Sequence, residues 1–356
     1  MIVNRRTCLQ QMMGWTFAAS ASNVARCTPR TIDWVEDCDQ DWLGFEAEFP
    51  SMGSKINLRW YANQSAQDHI VDAATQIADY WNSVLSDYDP NSQTSLACVN
   101  ADACNWVPLS NALWSVVKQC DQWNQWSEGA FDAALGATTR VRRQRKLATP
   151  DQWSQAKLRS GWNLLELDES KRSMRFVTPG VRLDFGVIGK GIVADRIAEK
   201  LKELGIERFV VNASGNMRMG MAPKDSTGWP ISIDFPVTTP NNAPTELLRM
   251  RFKNGGVATS GDLWQHFPDA TTLGSTVRTS HILDPSTGNG LSGHQSVTIF
   301  AEDAADADAA ATATCVRVRR DLAGWLQTLS VLRPNLRAIV LLRDSDSDPV
   351  RFISAG

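Results

Sequence analysis

The sequence from residue 183 to 191 reads Leu183-Asp184-Phe185-Gly186-Val187-Ile188-Gly189-Lys190-Gly191. Apolar and polar residues alternate over 181–185, which is typical of a β-strand. After the glycines, apolar residues recur every three or four positions over 193–204, as on one face of a helix, and Gly205 follows at the usual helix C-cap position. The stretch therefore predicts a strand, a glycine turn and a helix, with Lys190 at the mouth of the helix.

The elements predicted around this stretch alternate irregularly. Strands are expected at 56–60, 209–211, 231–235, 297–300 and, as the last one, 337–342. Helices are expected at 70–84, 113–123, 303–317 and 320–329, and a loop rich in Pro, Asn and Thr at 236–246. Because several strand pairs lack a crossover helix, we predict an α+β fold with mixed or antiparallel sheets and packed helices.

The composition is that of an ordinary globular protein with enough apolar residues for a core. The chain has 356 residues, 43% of them hydrophobic and 21% charged, with a net charge of −3. Nucleic-acid binders usually carry a basic face, so nothing here favours that partner. The exception is the basic run 140–146, inside a polar excursion at 138–160, for which a solvated loop and a polyanion site are the two interpretations.

The N-terminus has the features of a twin-arginine export leader. Arg5 and Arg6 precede a short apolar stretch at 12–19 and the small residues 20–22. We predict export to the periplasm or cell envelope, with a leader and linker over 1–45 and one domain over 46–356; the alternative is a frayed cytosolic terminus. None of the seven cysteines forms a CxxC pair, and Cys98 with Cys104 is the nearest pair for a disulfide in an exported protein.

Three further features carry chemistry. Lys190 and the backbone N–H groups of a helix start attract anions, although this turn is neither a Walker A loop nor a GxGxxG motif, and a plain turn is the alternative. Asp308 and Thr312 are four residues apart and share a helix face, so both oxygens can bind one hard cation such as Mg²⁺, unless Asp308 is simply solvated. His281, beside the Asp284-Pro285 turn, is either a proton acceptor at a loop mouth or a surface histidine.

Eight short segments, in the same order along the chain, resemble those of FAD:protein FMN transferases, the ApbE-like flavin transferases. They are Met52-Gly53-Ser54, Tyr88-Asp89-Pro90-Asn91-Ser92 with Asn100, Gly129-Ala130-Phe131-Asp132, Leu183–Asp195, Asn212–Asn216, Ala258–Asp262, His281–Pro285 and Ala307–Thr312. Departures from the family pattern are Ala133 and Ala134 in place of Pro and Thr, Ser214 in place of Gly, and the basic run in place of a Trp-Gly stretch.

The resemblance implies a Mg²⁺-dependent enzyme that moves FMN from FAD to a threonine of an acceptor protein and releases AMP. Matching positions imply Val187 (through its carbonyl), Asp308 and Thr312 as metal ligands and His281 as the base, with Lys190 on the diphosphate. They imply FAD contacts at Met52, Tyr88, Ala130, Phe131, Asp132, Asp184, Lys190, Thr259 and Ile282. The acceptor would carry a Ser/Gly-Ala-Thr motif, and a membrane-associated acceptor is one expectation.

Two other activities fit the same residues. Water in place of threonine would make the protein an FAD pyrophosphatase, and a protein that binds FAD without chemistry would be a flavin carrier. Leu135-Gly136-Ala137-Thr138 resembles the acceptor motif itself. Self-flavinylation of Thr138 is therefore a hypothesis, although a coincidental match is the favoured explanation.

Overall fold

The computed structural model describes residues 30–31, 43–62, 67–101, 105–144, 148–235, 245–261, 266–268, 278–292, 294–343 and 350–356. The predicted export signal at 5–22 and Cys104 lie outside these ranges. Cys98 is a buried free thiol whose Sγ accepts a hydrogen bond from the Leu183 N–H at 3.4 Å. Among the described residues, no helix combines the length and apolarity that a membrane span requires.

The described residues form eight α-helices and seventeen strands. The helices are α1 (Gln67–Leu85), α2 (Gln93–Asn100), α3 (Asn111–Trp126), α4 (Gly136–Arg143), α5 (Pro150–Leu158), α6 (Gly189–Glu203), α7 (Ala304–Arg317) and α8 (Leu322–Leu332). The strands are β1 (Arg30–Thr31), β2 (Leu43–Ser51), β3 (Ser54–Ala62), β4 (Val107–Pro108), β5 (Leu165–Asp168), β6 (Ser173–Phe176), β7 (Phe209–Ala213), β8 (Asn216–Met219), β9 (Trp229–Phe235), β10 (Thr245–Phe252), β11 (Gly255–Gly261), β12 (His266–Pro268), β13 (Arg278–Leu283), β14 (Gly290–Ser292), β15 (His294–Ala301), β16 (Arg337–Arg343) and β17 (Arg351–Ala355).

The main sheet has nine strands in the order β1-β2-β3-β7-β8-β11-β15-β16-β17, and every neighbouring pair is antiparallel. Three small antiparallel sheets accompany it: β9 with β10, β12-β13-β14, and β4-β6-β5. The predicted α+β fold with antiparallel sheets and packed helices is confirmed.

The two faces of the main sheet are covered by different elements. Helices α1, α6 and α7 pack on one face, and every residue of α7 from Ala304 to Val316 is buried. On the other face, Trp229, Ile231 and Ile233 of β9 pack against Val257 and Phe300 of the sheet. The alanines of α7 are small enough for α6 and the sheet to approach this helix closely.

Three sequence-based predictions of secondary structure are wrong. Residues 181–184 join no sheet of the described chain, because the Asp184 N–H donates to Ala133 O and Arg182 O accepts from the Gly136 N–H. Residues 140–143 of the basic run belong to helix α4 rather than to a solvated loop, and the polar excursion at 138–160 also contains α5. Strand 337–342 exists, but it is followed by β17, which pairs with it at the sheet edge. Of the predicted loop at 236–246, only its last two residues are described, and they begin β10.

Candidate functional site

The N-terminus of α6 lies directly against α7. The N-cap Ile188 supplies no side-chain hydrogen bond, but the Gly191 N–H donates to Asp308 Oδ2 at 3.2 Å. A Cβ atom at Gly191 would lie 2.4 Å from Ala304 O, so only glycine allows this approach. We call the contact of Gly191 with Ala304 and Asp308 the helix crossing. It brings Lys190 and Asp308 together, as the positions implied by the resemblance require.

Asp308 is a buried carboxylate at the helix crossing. The residue is 3% exposed, so the alternative of a solvated aspartate is wrong. Burial raises the pKa of Asp308 to about 6, against the opposing effects of the Lys190 charge and the Gly191 N–H. The two other acidic residues of this segment have structural partners. Asp303 caps α7, and Asp306 accepts a hydrogen bond from Trp123 and pairs with Arg333.

Thr312 lies one turn after Asp308 on the same face of α7. Its side chain is buried, and its Oγ1 is 3.5 Å from the Ser260 Oγ of β11. Thr259 is exposed, and its hydroxyl bonds across the sheet to the Thr298 hydroxyl at 2.9 Å. Val187 ends a short 3₁₀ turn that leads into α6. The three metal ligands implied by the resemblance thus belong to α7 and to the turn that opens α6.

Met52 lies close to the start of α6, beside Gly189. It occupies a left-handed conformation with φ 51° in the β2–β3 turn. A Cβ atom at Gly189 would lie 3.4 Å from the Met52 Cε and 3.5 Å from the Leu85 Cδ1. A side chain at position 189 would therefore contact Met52 and the end of α1 beside Lys190.

Asp184 and Tyr88 are joined by Arg143, a residue of the basic run for which a solvated loop and a polyanion site were the two interpretations. Arg143 of α4 donates to Asp184 Oδ2 at 3.0 Å and also pairs with Asp87. Its guanidinium carbon lies 4.1 Å from the centroid of the Tyr88 ring, and Tyr88 is 75% exposed. Asp184 Oδ1 also accepts the Gly186 N–H at 2.9 Å, which shapes the turn before Val187.

The segment Ala130-Phe131-Asp132 is enclosed by protein. All three side chains are buried, and the Asp132 carboxylate accepts hydrogen bonds from the Ala134 and Trp162 N–H groups. Burial raises the pKa of Asp132 to about 6, although both hydrogen bonds lower it. Contact of these residues with FAD stays a prediction, and the Asp132 side chain is already used to hold the loop.

His281 is an exposed residue of β13, next to the buried Ile282. The Ile282 N–H donates to Ser280 Oγ at 3.1 Å, and the register between β13 and β14 shifts between Thr279 and Leu283. Asp284 pairs with Arg320 and accepts from Ser286, and these bonds outweigh burial and lower the pKa of Asp284. The histidine therefore lies at the start of an anchored turn, as its sequence context predicted.

The comparison with known proteins decides the family. The sequence pattern of the ApbE family matches residues 52–339. The chain belongs to the ApbE family. A relative from Haemophilus influenzae, named FAD:protein FMN transferase, is 26% identical over 75% of this chain and 76% of its own. One of the same name from Chlamydia trachomatis is 28% identical over 74% and 80%.

Solved structures of the family have the same fold. The flavin transferase ApbE from Vibrio cholerae superposes with a TM-score of 0.75 at 20% identity, covering 88% of this chain and 97% of that one. The ApbE protein from Thermotoga maritima gives a TM-score of 0.73 at 23% identity, over 86% and 96%.

The residues of the helix crossing suit a magnesium ion. Within the described ranges, no group of three or more His, Cys, Asp or Glu side chains is gathered as a metal site. Mg²⁺ typically uses only one or two carboxylates and completes its shell with water and substrate phosphates. One buried carboxylate, the Thr312 hydroxyl and the Val187 carbonyl are a donor set of that kind.

A polar cavity of about 160 Å³ lies on another side of α6, lined by Asp195, Arg218, Asp303 and neighbours on α6 and α7. None of the site residues implied by the resemblance lines it. Asp195 accepts the Ala304 and Ala305 N–H groups, both at 2.9 Å, and so caps α7. Its carboxylate therefore holds the start of the helix that carries Asp308.

The arginines of α4 are site neighbours that were not among the predicted site residues. Arg142 donates to Thr279 Oγ1 at 2.9 Å and to Ser280 O at 2.7 Å, immediately before His281. The signal in the sequence that singled out this segment was the basic run, which stands where the family has a Trp-Gly stretch. Thr138 of the same helix is fully buried and bonds to Ser160, so its hydroxyl is not accessible for self-flavinylation in this conformation.

Proposed function

We propose that this ApbE family protein is a Mg²⁺-dependent FAD:protein FMN transferase that acts on a threonine hydroxyl of an acceptor protein. The threonine oxygen bonds to the FMN phosphorus of FAD, the bond from that phosphorus to the AMP oxygen breaks, and AMP leaves. The names of the relatives support the transfer of FMN. The observation that carries the site assignment is the buried Asp308 at the helix crossing beside Lys190.

Each residue of the site has a task that suits phosphoryl transfer, which needs positioning and charge neutralisation more than covalent help. Lys190 and the N–H groups at the start of α6 bind the negatively charged diphosphate. His281 accepts the proton of the threonine hydroxyl, for which its exposed position beside the Asp284 turn is suited. Asp308, Thr312 and the Val187 carbonyl would hold Mg²⁺, which when bound supplies additional positive charge at the diphosphate.

The test uses purified protein with FAD, Mg²⁺ and a fragment carrying a Ser/Gly-Ala-Thr segment. The intact mass of the fragment should increase by one FMN, with AMP released in equal amount. Release of FMN and AMP without a labelled fragment would instead identify an FAD pyrophosphatase. Retention of intact FAD with no AMP would identify a carrier. A fragment with threonine replaced by valine controls for non-specific attachment.

We further propose that the protein is exported and meets its acceptor in the cell envelope, where a membrane-associated acceptor is a natural partner. The support is the Arg5-Arg6 pair ahead of the short apolar stretch. Replacing both arginines with lysine should retain the protein in the cytoplasm on cell fractionation. Unchanged export would require another signal, and recovery of the original protein in the cytoplasm would contradict the proposal.

A further inference from the structure

Two consecutive arginines of helix α4 contact two separate parts of the candidate site. One part contains Asp184 and Tyr88, and the other contains His281. Arg143 contacts Asp87, Asp184 and Tyr88, whereas Arg142 contacts Thr279 and Ser280 next to His281. On the proposed function, these contacts join the implied flavin-binding residues at one end and the implied proton acceptor at the other.

Arg143 neutralises two carboxylates at once. The side chains of Asp87 and Asp184 are about one-tenth exposed or less, and each bonds to a different guanidinium nitrogen of Arg143. Burial and the Asp184 charge raise the pKa of Asp87, and Arg143 opposes both effects. Without the arginine, two buried like charges would repel each other at the turn that carries Asp184. The same guanidinium covers one side of Tyr88 and leaves this residue mostly exposed.

Arg142 fixes the peptide bond that joins Ser280 to His281. On one side of β13, Ser280 pairs with His266 of β12, whereas on the β14 side the register shifts between Thr279 and Leu283. Arg142 therefore adds a contact on the side where strand pairing is interrupted. The hydrogen bond to Ser280 O holds that carbonyl, and the bond from the Ile282 N–H to Ser280 Oγ holds the other flank of His281. Gly290 makes room for the arginine, since a Cβ atom there would lie 2.3 Å from the Arg142 Nη2.

We propose that Arg142 and Arg143 are positioning residues with separate roles in the transfer, and this proposal rests on the proposed function. Arg143 sets the geometry of the flavin-binding end through Asp184 and Tyr88. Arg142 sets the geometry of the base through the Ser280–His281 peptide. The basic run, which replaces the family's Trp-Gly stretch, then holds the two parts of the active site in position.

The test separates FAD binding from turnover. Arg143→Met should raise the Kd of FAD, measured by flavin fluorescence with Mg²⁺ present, about tenfold while changing kcat at saturating FAD less than twofold. Arg142→Met should lower kcat about tenfold and leave the Kd within twofold. Arg175→Met is the matched control, because Arg175 also pairs with a carboxylate, Glu166, and lies over an aromatic ring, Trp106, outside the candidate site. It should change neither quantity.

Amide hydrogen exchange gives a second readout that does not need activity. Arg142→Met should speed exchange within 280–283, and Arg143→Met within 86–92 and 184–188. Arg142→Gln and Arg143→Gln replace the methionine variants if these fail to fold, and Gly290→Ala should reproduce the Arg142 effect.

Equal effects of both variants on Kd and kcat, or effects no larger than the control, overturn the proposal. If the original protein binds FAD but transfers nothing, the proposed function fails. The exchange and Kd measurements then still decide whether the arginines hold the two ends.

Discussion

The helix crossing and helix α4 hold the candidate site in contrasting ways. At the crossing, backbone atoms meet backbone atoms, since Gly191 approaches Ala304 and its N–H reaches the buried Asp308. At α4, long partly exposed arginine side chains reach across to distant loops. The crossing is therefore rigid and intolerant of added atoms, whereas the contacts of α4 depend on individual charged hydrogen bonds. We therefore expect substitutions at the helix crossing and substitutions in α4 to have different effects.

Asp308→Ala should give the largest loss of activity. Removing the only carboxylate among the implied magnesium ligands costs several kcal/mol, which lowers transfer by about 10³-fold or more. The variant also leaves the buried Gly191 N–H without its acceptor, so the free energy of unfolding should fall by about 1–3 kcal/mol. The measurements are the rate of AMP release as a function of Mg²⁺ concentration and urea unfolding.

Asp306→Asn is the matched control for this experiment, because Asp306 lies on the same helix but bonds to Trp123 and Arg333. It should lower stability without altering the dependence on Mg²⁺. A normal rate for Asp308→Ala at low Mg²⁺ would move the metal site elsewhere.

The contrast also explains what the sequence could predict. Each side of the crossing carries its own short motif, Gly189-Lys190-Gly191 at the start of α6 and Asp308 with Thr312 on α7. Its chemistry is therefore readable from short spacing and helix periodicity, although the Gly191–Asp308 hydrogen bond joins residues 117 positions apart. Helix α4 has no continuous apolar face, and its arginines bind acceptors 41 to 138 residues away. Segment 181–185 has the alternation of a strand because Val181, Leu183 and Phe185 are buried, yet its backbone bonds to Ala133 and to Gly136 at the start of α4. The alternation of apolar and polar residues predicts which side chains are buried, but it does not predict which residues the backbone of the segment bonds to.

His281→Ala should lower transfer by about 10²–10³-fold, because a positioned general base is lost while water can partly replace an exposed one. FAD and Mg²⁺ binding should be retained. His69→Ala is the control, since His69 is an exposed residue of α1. If His281→Ala transfers FMN normally and His266→Ala does not, the base has been assigned to the wrong histidine.

Lys190→Ala should weaken FAD binding by about 1–3 kcal/mol, the scale of a charge-assisted hydrogen bond to the diphosphate. Because the helix start also supplies N–H groups, some affinity should remain. Lys200→Ala, at the other end of α6 in an exposed pair with Glu203, is the matched control. Titration calorimetry with FAD and Mg²⁺ measures the effect. An unchanged dissociation constant would reduce the glycine segment to a structural turn.

The last effect concerns the pH dependence of stability at the helix crossing. Burial and the Asp303 charge raise the pKa of Asp195 to about 7, against hydrogen bonds from the Ala304 and Ala305 N–H groups and the Arg218 charge. Its ordinary value is 3.8, so between pH 4 and 7 the folded state binds a proton that the unfolded state has lost. The contribution of Asp195 to the free energy of unfolding therefore falls as pH rises through this window, by at most about 1.4 kcal/mol per pH unit.

Urea unfolding of the original protein and of Asp195→Asn at pH 5, 6, 7 and 8 isolates this contribution. The difference between the two free energies of unfolding should fall from pH 5 to 7 and then level off. Asp284→Asn is the control, because the pKa of Asp284 is lowered and its stabilisation is lost only as pH falls below about 4, so its difference from the original protein should stay constant over pH 5–8. Parallel curves for Asp195→Asn and the original protein would mean that the carboxylate stays ionised at the start of α7. The helix crossing would then carry a permanent buried negative charge beside Arg218, and the proton would have no part in its stability.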